Sequence, residues 1–224
     1  MSSASTVEKV DYFANHELVV KWPFTIYHRP IEGSMIATVE RVKAAHPHPL
    51  KVLVFGCGYF HERHIYPPGT QFILVDQDSR LTQSMEEFAA SNRGCFAYTS
   101  KSPKEFERVV LEHANTVNLI TAKEVIEHIT EMDQYFTLFK KLLAPQGTLW
   151  VSTPNYGDWT LPLVESTFLE AVARCRGFSR KEMHPNRYSK DSLSQALRIH
   201  GFENIDVQKT QFRFALTGSA INPG

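Results

Sequence analysis

The sequence predicts an α/β protein with a doubly wound, mostly parallel seven-stranded sheet that ends in an antiparallel hairpin. Between residues 51 and 153, near-continuous apolar segments alternate with amphipathic ones. This alternation is typical of a parallel sheet that helices cover on both faces. Near residue 210, two strand-like segments are joined only by a short turn. A parallel pair needs a crossover of about a dozen residues or more, so these two strands are predicted to be antiparallel.

Apolar runs predict the strands, and apolar residues at helical spacing predict the helices between them. The predicted strands are KVLVF (51–55), QFILV (71–75), CFAYT (95–99), VNLIT (117–121), GTLWVST (147–153), ENIDVQ (203–208) and QFRFAL (211–216). The predicted helices begin at Ser34, Ser79, Lys104, Met132 and Asp191. The first of them should end before Pro47 and carry Met35, Val39 and Val42 on one face.

The first thirty residues are rich in aromatic side chains, and Pro23 and Pro30 are expected to break any helix there. They either cover the sheet edge or, as we favour, form a lid over an apolar substrate pocket lined by Tyr12, Trp22, Tyr27 and His28. The chain is predicted to be one domain. Its parts are the N-terminal lid and helix (1–45), the binding core (50–155), a substrate-side insertion with Tyr156 and Trp159 (156–190), and the final helix and hairpin (191–224).

The amino-acid composition limits the kinds of binding partner that we expect for the chain. The 224 residues are 42% hydrophobic, which suits a single globular core, and Lys+Arg and Asp+Glu both number 24. A net charge of zero does not favour nucleic acid or an anionic membrane. The three cysteines match neither a disulfide framework nor a zinc site, and the sequence shows neither a secretory signal nor a membrane-spanning run. We therefore expect a cytoplasmic protein.

A turn that contains two glycines follows the first strand, in KVLVFGCGYF (51–60). A triphosphate loop needs a later glycine followed by Lys and Ser or Thr, and a dinucleotide fingerprint needs a third glycine where this chain has His61. A nucleoside without phosphates fits better, because it needs close backbone approach and an acidic residue after the second strand to hold ribose hydroxyls. Asp76 stands there. The other interpretation makes Asp76 a helix cap, but Asp78 is better placed for that role.

Four segments in this order resemble the class I S-adenosylmethionine-dependent methyltransferase family: VLVFGCG, ILVDQD, NLITAKEVIEHI and LFKKLLAPQGTLWVSTPN. The resemblance covers about residues 51–155 and implies a Rossmann-like fold with S-adenosylmethionine as cofactor. It implies that the glycines lie under the methionine part, that Asp76 holds the ribose, that the loop at Ser100 flanks the adenine, and that Ala122 and Lys123 lie beside the sulfonium. The implied cofactor-binding residues are Phe55, Gly56, Cys57, Gly58, Asp76, Gln77, Ser100, Ala122 and Lys123. This chain has Phe60, Ser100 and Asn118 where the family has a glycine and two acidic residues.

A second constellation lies in KEVIEHI, which brings Glu124, Glu127 and His128 close together. If the stretch begins a helical turn, Glu124 and His128 share one face and could bind a divalent cation or hold a general base. The stretch is similar to two branches of the family. The small-RNA 3′-terminal 2′-O-methyltransferases imply a metal held by Glu124, Glu127, His128 and His184. The ubiquinone-pathway type of small-molecule O-methyltransferase implies no metal there.

We predict an S-adenosylmethionine-dependent methyltransferase of a small-molecule acceptor, with oxygen as the favoured acceptor atom and no metal. The predicted catalytic residues are His128, His184 and Glu124. An imidazole titrates near neutral pH and can accept a proton from a hydroxyl. Two alternatives stay open: a metal-dependent RNA 3′-terminal 2′-O-methyltransferase, and a non-catalytic scaffold that binds the cofactor. No oligomeric state is predicted.

Overall fold

The computed structural model describes residues 24–46, 49–159 and 184–224. These residues form a seven-stranded sheet with the strand order β3-β2-β1-β4-β5-β7-β6. Strands β1 to β5 are parallel to one another, and β7 is antiparallel to both β5 and β6, which confirms the predicted fold class. The strands are β1 (Lys51–Phe55), β2 (Gln71–Asp76), β3 (Phe96–Thr99), β4 (Val117–Lys123), β5 (Leu143–Pro154), β6 (Glu203–Lys209) and β7 (Ala215–Ile221).

Five helices in the described part of the chain cover the two faces of the sheet: α1 (Phe24–Ala45), α2 (Thr82–Ser91), α3 (Pro103–His113), α4 (Met132–Leu142) and α5 (Lys190–Ile199). Apolar residues of α1 and α2 pack on one face, against Val52 and Val54 of β1. Apolar residues of α3, α4 and α5 pack on the other face, where Leu53 and Phe55 point. Successive residues of β1 therefore serve opposite cores, which explains why the strand is apolar throughout. No helix among the described residues is long and apolar enough to cross a membrane.

The first helix begins ten residues earlier than predicted, at Phe24 instead of Ser34, and continues through Pro30. The expectation that Pro30 breaks any helix is wrong. A proline inside a helix removes one hydrogen bond and costs about 3 kcal/mol. Tertiary contacts outweigh that cost in this helix, because Ile31 is fully buried and continues the buried face of Met35, Val39 and Val42. The predicted end of this helix before Pro47 is confirmed, since α1 ends at Ala45.

The last strand also lies elsewhere than predicted. Only the last two residues of the predicted segment QFRFAL belong to a strand: Gln211–Arg213 forms a 3-10 turn in which Phe212 and Arg213 have φ angles of +68° and +60°. Strand β7 begins only at Ala215, and its small residues enter the sheet between β5 and β6. Gly218 lies between the side chains of Val151 and Val207, where a larger residue would be tightly confined. The predicted antiparallel hairpin is therefore formed, but its second strand is shifted toward the C-terminus.

The turn after β1 is held by backbone and side-chain contacts. The N–H of Gly56 donates to the carbonyl oxygen of Val75 over 2.8 Å, and Gly56 has a φ of +68°. A methyl group on its Cα would lie 2.4 Å from Cγ2 of Val125, in the loop after β4. Only glycine combines this conformation with so close a contact. A 3-10 turn (His61–Ile65) then replaces the longer helix that usually follows a first strand, and Tyr66, Pro67 and Pro68 come directly after it.

Replacing Gly56 by alanine should lower the free energy of unfolding by about 2–4 kcal/mol, because a left-handed φ and overpacking each cost on the order of 1–3 kcal/mol. Gly69 is a matched control, since its φ is +83° but no atom of the described residues lies within 4 Å of a Cβ added there. Urea denaturation of both variants measures the difference. Equal losses for Gly56→Ala and Gly69→Ala, or no recovery when Val125→Ala is added to Gly56→Ala, would contradict the steric explanation.

Candidate active site

The carboxyl ends of the central strands meet at one edge of the sheet, and the predicted site residues follow these ends. Phe55 pairs with Val75 of β2 on one side and with Ala122 of β4 on the other. Further along the same edge, Asp76 pairs with Thr99, and Lys123 pairs with Ser152. In a parallel α/β sheet, ligands bind in the crevice outside these ends. This register brings the two-glycine turn, Asp76 and the loop after β4 to one place.

Asp76 organises the glycine turn. Its carboxylate is buried, with only 8% of the residue exposed. Oδ2 accepts the N–H of Gly58 over 2.9 Å, and Oδ1 accepts the N–H of Asp78 over 2.9 Å. Asp78 instead accepts the N–H of Arg80, so it is Asp78 that caps the following turn. Each oxygen of Asp76 keeps a second lone pair, which suits the two hydroxyls of a ribose.

The other residues of this turn differ in what they can offer a ligand. The ring of Phe55 packs against Phe106 and Phe139, with centroids 5.5 and 5.0 Å away, so its side chain belongs to the core. Cys57 is also buried, and burial raises the pKa of its thiol well above the usual range. Both residues can face a ligand only through their backbone. Gln77 is exposed, and its side chain is available at the edge of the site.

The loop after β3 is tied to Asp76. The N–H of Ser100 donates to the backbone oxygen of Asp76 over 2.9 Å, and the Ser100 hydroxyl donates to the carbonyl oxygen of Ser102 over 3.2 Å. Ser100 is buried, and Thr99 pairs with Asp76 in the sheet. This loop therefore lies at the Asp76 side of the crevice. Its place agrees with the predicted adenine side, although the role of Ser100 stays a prediction.

Lys123 makes an ion-pair cluster that the sequence did not predict. Its Nζ contacts the carboxylate of Glu62, in the 3-10 turn after β1, and lies 3.5 Å from Glu32 of α1. Burial alone would raise the pKa of Glu62, but the neighbouring ammonium of Lys123 holds that pKa below its usual range. Two carboxylates thus balance the charge of Lys123. Ala122, the preceding residue, is fully buried in the sheet.

Glu124 adopts a left-handed backbone conformation with a φ of +54°. The Ser152 hydroxyl donates to its Oε1 over 2.8 Å, and the Tyr27 hydroxyl of α1 donates to its Oε2 over 2.5 Å. The condition under which Glu124 and His128 would share one helix face is not met, because only Ile126–His128 forms a short 3-10 turn and Glu124 precedes it. Sequence reasoning missed Ser152, whose partner is 28 positions away.

Glu127, His128 and His184 form a compact cluster. Their ligand atoms all lie within 4.8 Å of one another, and the rings of His128 and His184 are 4.7 Å apart. Glu127 is 1% exposed, and its Oε2 has no hydrogen-bond partner among the residues that the structure describes. Burial, together with the nearby charge of Glu124, raises the pKa of Glu127 well above its usual range. Nδ1 of the buried His184 lies 2.5 Å from the hydroxyl of Tyr156.

The cluster meets part of the requirement for a metal site. Three of the four side chains that the RNA branch implies as ligands lie together. One oxygen of Glu127, which has no hydrogen-bond partner in the described part of the chain, would suit a cation. The fourth, Glu124, is hydrogen-bonded to Ser152 and Tyr27. The absence of a metal therefore stays a prediction, as do the catalytic roles of His128, His184 and Glu124.

Part of the predicted substrate side lies outside the described residues. This applies to Tyr12 and Trp22 of the N-terminal lid and to residues 160–183 of the insertion. Tyr27, also predicted for the lid, lies in α1 and reaches Glu124. Trp159 is 74% exposed at the end of the described part of the insertion. The N-terminal part of α1 thus borders the site through a hydrogen bond.

Comparisons with known proteins agree with this geometry. A family model described as "Methyltransferase domain" matches residues 27–207, which is most of the chain. No curated protein matches the sequence significantly. Many solved structures share the fold.

Three of these structures illustrate the likeness. The CurJ carbon methyltransferase superposes with a TM-score of 0.66 at 15% identity, over 94% of this chain and 58% of that one. A SAM-dependent methyltransferase from Archaeoglobus fulgidus gives a TM-score of 0.58 at 11% identity, over 90% of this chain and 100% of that one. The Haemonchus contortus phosphoethanolamine N-methyltransferase 2, in complex with S-adenosyl-L-methionine, gives 0.62 at 12% identity, over 93% of this chain and 60% of that one.

The CurJ carbon methyltransferase and the Haemonchus contortus enzyme are much longer than this chain. Sequence identities this low show only that the fold is shared. The family follows from the match over residues 27–207, together with the two-glycine turn and the buried Asp76. The chain belongs to the methyltransferase family.

Proposed function

We propose that the protein methylates a small-molecule acceptor and that the acceptor atom is a hydroxyl oxygen. The observation that carries this proposal is the buried His184 in hydrogen-bond contact with Tyr156, beside the carboxyl ends of β4 and β5. An acceptor hydroxyl must lose a proton during transfer, whereas an amine acceptor can lose it afterwards. A buried imidazole oriented by a second group is a suitable base for the first case.

S-adenosylmethionine, when bound, supplies a methyl group on a positively charged sulfur. In this chain the turn from Phe55 to Gly58 would hold the cofactor through its backbone, and Asp76 would accept hydrogen bonds from the ribose hydroxyls. Ser100 and Gln77 border the same crevice on the Asp76 side. Ala122 and Lys123 end β4 next to the glycine turn. The contribution of these residues is orientation, which can supply several kcal/mol of the barrier reduction.

His184 is the residue that we assign as the base. The hydroxyl of Tyr156 contacts its Nδ1 and holds the ring in one orientation. His128 lies against the same ring at 4.7 Å and supports its position. Arg187 stacks over the ring of Tyr156 at 5.5 Å and completes the arrangement. His184, held in this way, would accept the proton of the acceptor hydroxyl. The residues proposed to hold the cofactor would take no part in that step.

The solved structures that share this fold do not show which atom this chain methylates. One of them is called a carbon methyltransferase and another an N-methyltransferase, although both share the fold of this chain. The acceptor is therefore argued from the chemistry of this site. A net charge of zero favours a small molecule over RNA, because phosphate recognition usually needs a basic surplus. In addition, the ammonium of Lys123 is already balanced by Glu62 and Glu32.

A second candidate function rests on the cluster of Glu127, His128 and His184. Three ligand side chains converge there, and one of them has a buried oxygen with no hydrogen-bond partner within residues 24–46, 49–159 and 184–224. This arrangement favours the metal-dependent methylation of an RNA 3′-terminal ribose. This candidate requires a divalent metal and RNA binding that weakens steeply with salt. The first candidate requires neither, so the two can be separated by experiment.

Replacing Asp76 by asparagine should weaken S-adenosylmethionine binding about ten- to a hundredfold, because loss of charge-assisted hydrogen bonds costs on the order of 1.5–3 kcal/mol. Asparagine keeps an oxygen that can accept the N–H of Gly58 or Asp78, so the turn should persist. Calorimetry measures the dissociation constant, and Asp78→Asn is the matched control because Asp78 binds Arg80 instead. An unchanged constant for Asp76→Asn would contradict the ribose role.

Replacing His184 by alanine should lower turnover about a hundredfold, the typical contribution of a general base, with little change in cofactor affinity. Turnover is followed as S-adenosylhomocysteine release with a panel of phenols, alcohols and amines. His64→Ala is the control, because His64 is exposed in the turn after β1 and its Nδ1 contacts the nearby backbone oxygen of His61. An equal loss of cofactor affinity and turnover in His184→Ala would contradict the assignment.

The same assay separates the two candidate functions. With the small-molecule acceptor that turns over best, a chelator should leave activity unchanged. If activity appears only with RNA, is lost to the chelator and returns with a divalent metal, the second candidate replaces the first.

A further inference from the structure

Asn186 joins the segment before α5 to the turn that follows β4. Its side-chain Nδ2 donates to the backbone oxygen of Ile126 over 3.1 Å and to that of Ile129 over 2.6 Å. Its backbone N–H donates to the backbone oxygen of Glu127 over 3.2 Å. One residue thus donates to three carbonyl groups that lie within four consecutive positions, 57 to 60 positions earlier in the chain for the side-chain contacts.

The turn needs donors of this kind. Carbonyl groups at the end of a helical turn have no partner within the turn, and one that is kept from water without a partner costs on the order of 1–3 kcal/mol. The 3-10 turn Ile126–His128 ends in this way. An amide NH2 has two donors and can serve two carbonyl groups at once, whereas an ionised aspartate of the same size has none. The donors of Asn186 are therefore specific to its contact with the turn.

Pro185 makes the connection between His184 and Asn186 stiff. Proline fixes its own φ at about −65°, and it restricts the residue before it to extended conformations. Three consecutive residues therefore have few conformations available, and the two peptide units between the outer residues span at most about 7 Å. The position of Asn186 on the turn consequently limits where the ring of His184 can lie.

Each side of this contact carries a histidine of the candidate site. In sequence, His128 lies between the two residues whose carbonyl groups the Asn186 side chain contacts. The rings of His128 and His184 are 4.7 Å apart. The loop after β5 holds the same segment separately, since the N–H of Tyr156 donates to the backbone oxygen of Tyr188 over 2.9 Å. Asn186 thus spans the boundary at which the two imidazole rings meet.

We propose that Asn186 is a positioning residue for the reaction, because it holds the imidazole of His184 beside the turn after β4. This inference rests on the proposed function, in which His184 is the base. A base must lie within hydrogen-bond reach of the proton that it accepts, and a misplacement of about 1 Å can lower the rate about a hundredfold. None of the three carbonyl groups belongs to a residue proposed to hold the cofactor, so cofactor binding should not depend on Asn186.

The test is Asn186→Asp, which keeps the size of the side chain and removes its N–H donors. We expect turnover of the best hydroxyl acceptor to fall about ten- to a hundredfold, while the dissociation constant for S-adenosylmethionine stays within about twofold of wild type. Turnover is measured as S-adenosylhomocysteine release at saturating acceptor, and calorimetry gives the dissociation constant. Asn186→Gln keeps an amide one methylene further out, so it should retain part of the turnover.

Asn222→Asp is the matched control. Nδ2 of Asn222 donates to the backbone oxygens of Leu143 and Ala144 over 2.9 and 3.3 Å, at the start of β5 and so at the opposite edge of the sheet. The substitution removes the same kind of contact away from the site. It should lower the free energy of unfolding but leave turnover unchanged at a temperature where the chain is folded. Urea denaturation sets that temperature, and Asn186→Gln decides the test if Asn186→Asp does not fold.

Nuclear Overhauser effects between the ring protons of His128 and His184 give a readout that is independent of the reaction. The short distance between the two rings predicts cross-peaks in the wild-type chain. We expect the same cross-peaks in Asn222→Asp. In Asn186→Asp they should weaken or disappear, because the segment is released from the turn.

The outcomes are distinct. Loss of both cross-peaks and turnover in Asn186→Asp, with cofactor affinity kept, supports the inference. Cross-peaks that persist, an equal loss of cofactor affinity, or an equal loss of turnover in Asn222→Asp overturns it while the proposed function stands. Lost cross-peaks with unchanged turnover overturn the inference and the role of His184 as base. A wild-type chain that methylates no hydroxyl acceptor overturns the proposed function and the inference together.

Discussion

The contact between Gly56 and Val125 determines how closely the ends of β1 and β4 approach each other. Because Gly56 has no side chain, the loop after β4 can rest directly on the turn after β1. That approach sets the positions of Gly58, which Asp76 holds through its N–H, and of Glu124, which immediately precedes Val125. The crevice in which the methyl donor is proposed to bind lies between Gly58 and Glu124. The distance between these residues depends on the close contact of Gly56 with Val125.

Several ionisable side chains border this crevice. Burial and a like-charged neighbour disfavour ionisation of Glu127, and the hydroxyl groups of Ser152 and Tyr27 donate to the side chain of Glu124. The ammonium of Lys123 would repel a sulfonium if it stood alone, but Glu62 and Glu32 balance it. The same ion pairs join α1 and the 3-10 turn to β4. The side chains of Lys123, Glu62 and Glu32 therefore balance charge beside the crevice and also hold separate elements of the fold together.

Local signals accounted for most of the fold. The apolar runs of β1, β2 and β4 and the helical spacing in α4 are properties of a few consecutive residues, so they were predictable. The full length of α1 was not, because the local cost of Pro30 is offset by the burial of Ile31 against other parts of the chain. Strand β7 was placed too early for a similar reason: its small residues become strand-like only through pairing with β5 and β6.

The same distinction between local and long-range signals applies to the candidate site. The position of Asp76 at the end of β2 was predictable, because an acidic residue directly after a buried apolar run is a local pattern. Its ribose role stays a prediction. The partners of Glu124 were not predictable, since Ser152 and Tyr27 are distant in sequence and their contacts exist only in the folded chain. The cluster of Lys123, Glu62 and Glu32 likewise joins three elements. Its members carry no pattern that would relate them before folding.

The most direct test of this account is a crystal structure of the chain with S-adenosylhomocysteine bound. The account predicts that both ribose hydroxyls lie within about 2.5–3.0 Å of the Asp76 carboxylate oxygens. It also predicts that the thioether sulfur lies beside the loop of Glu124 and Val125. A complex in which Asp76 contacts only the N–H groups of Gly58 and Asp78, while the ribose is held elsewhere, would contradict it.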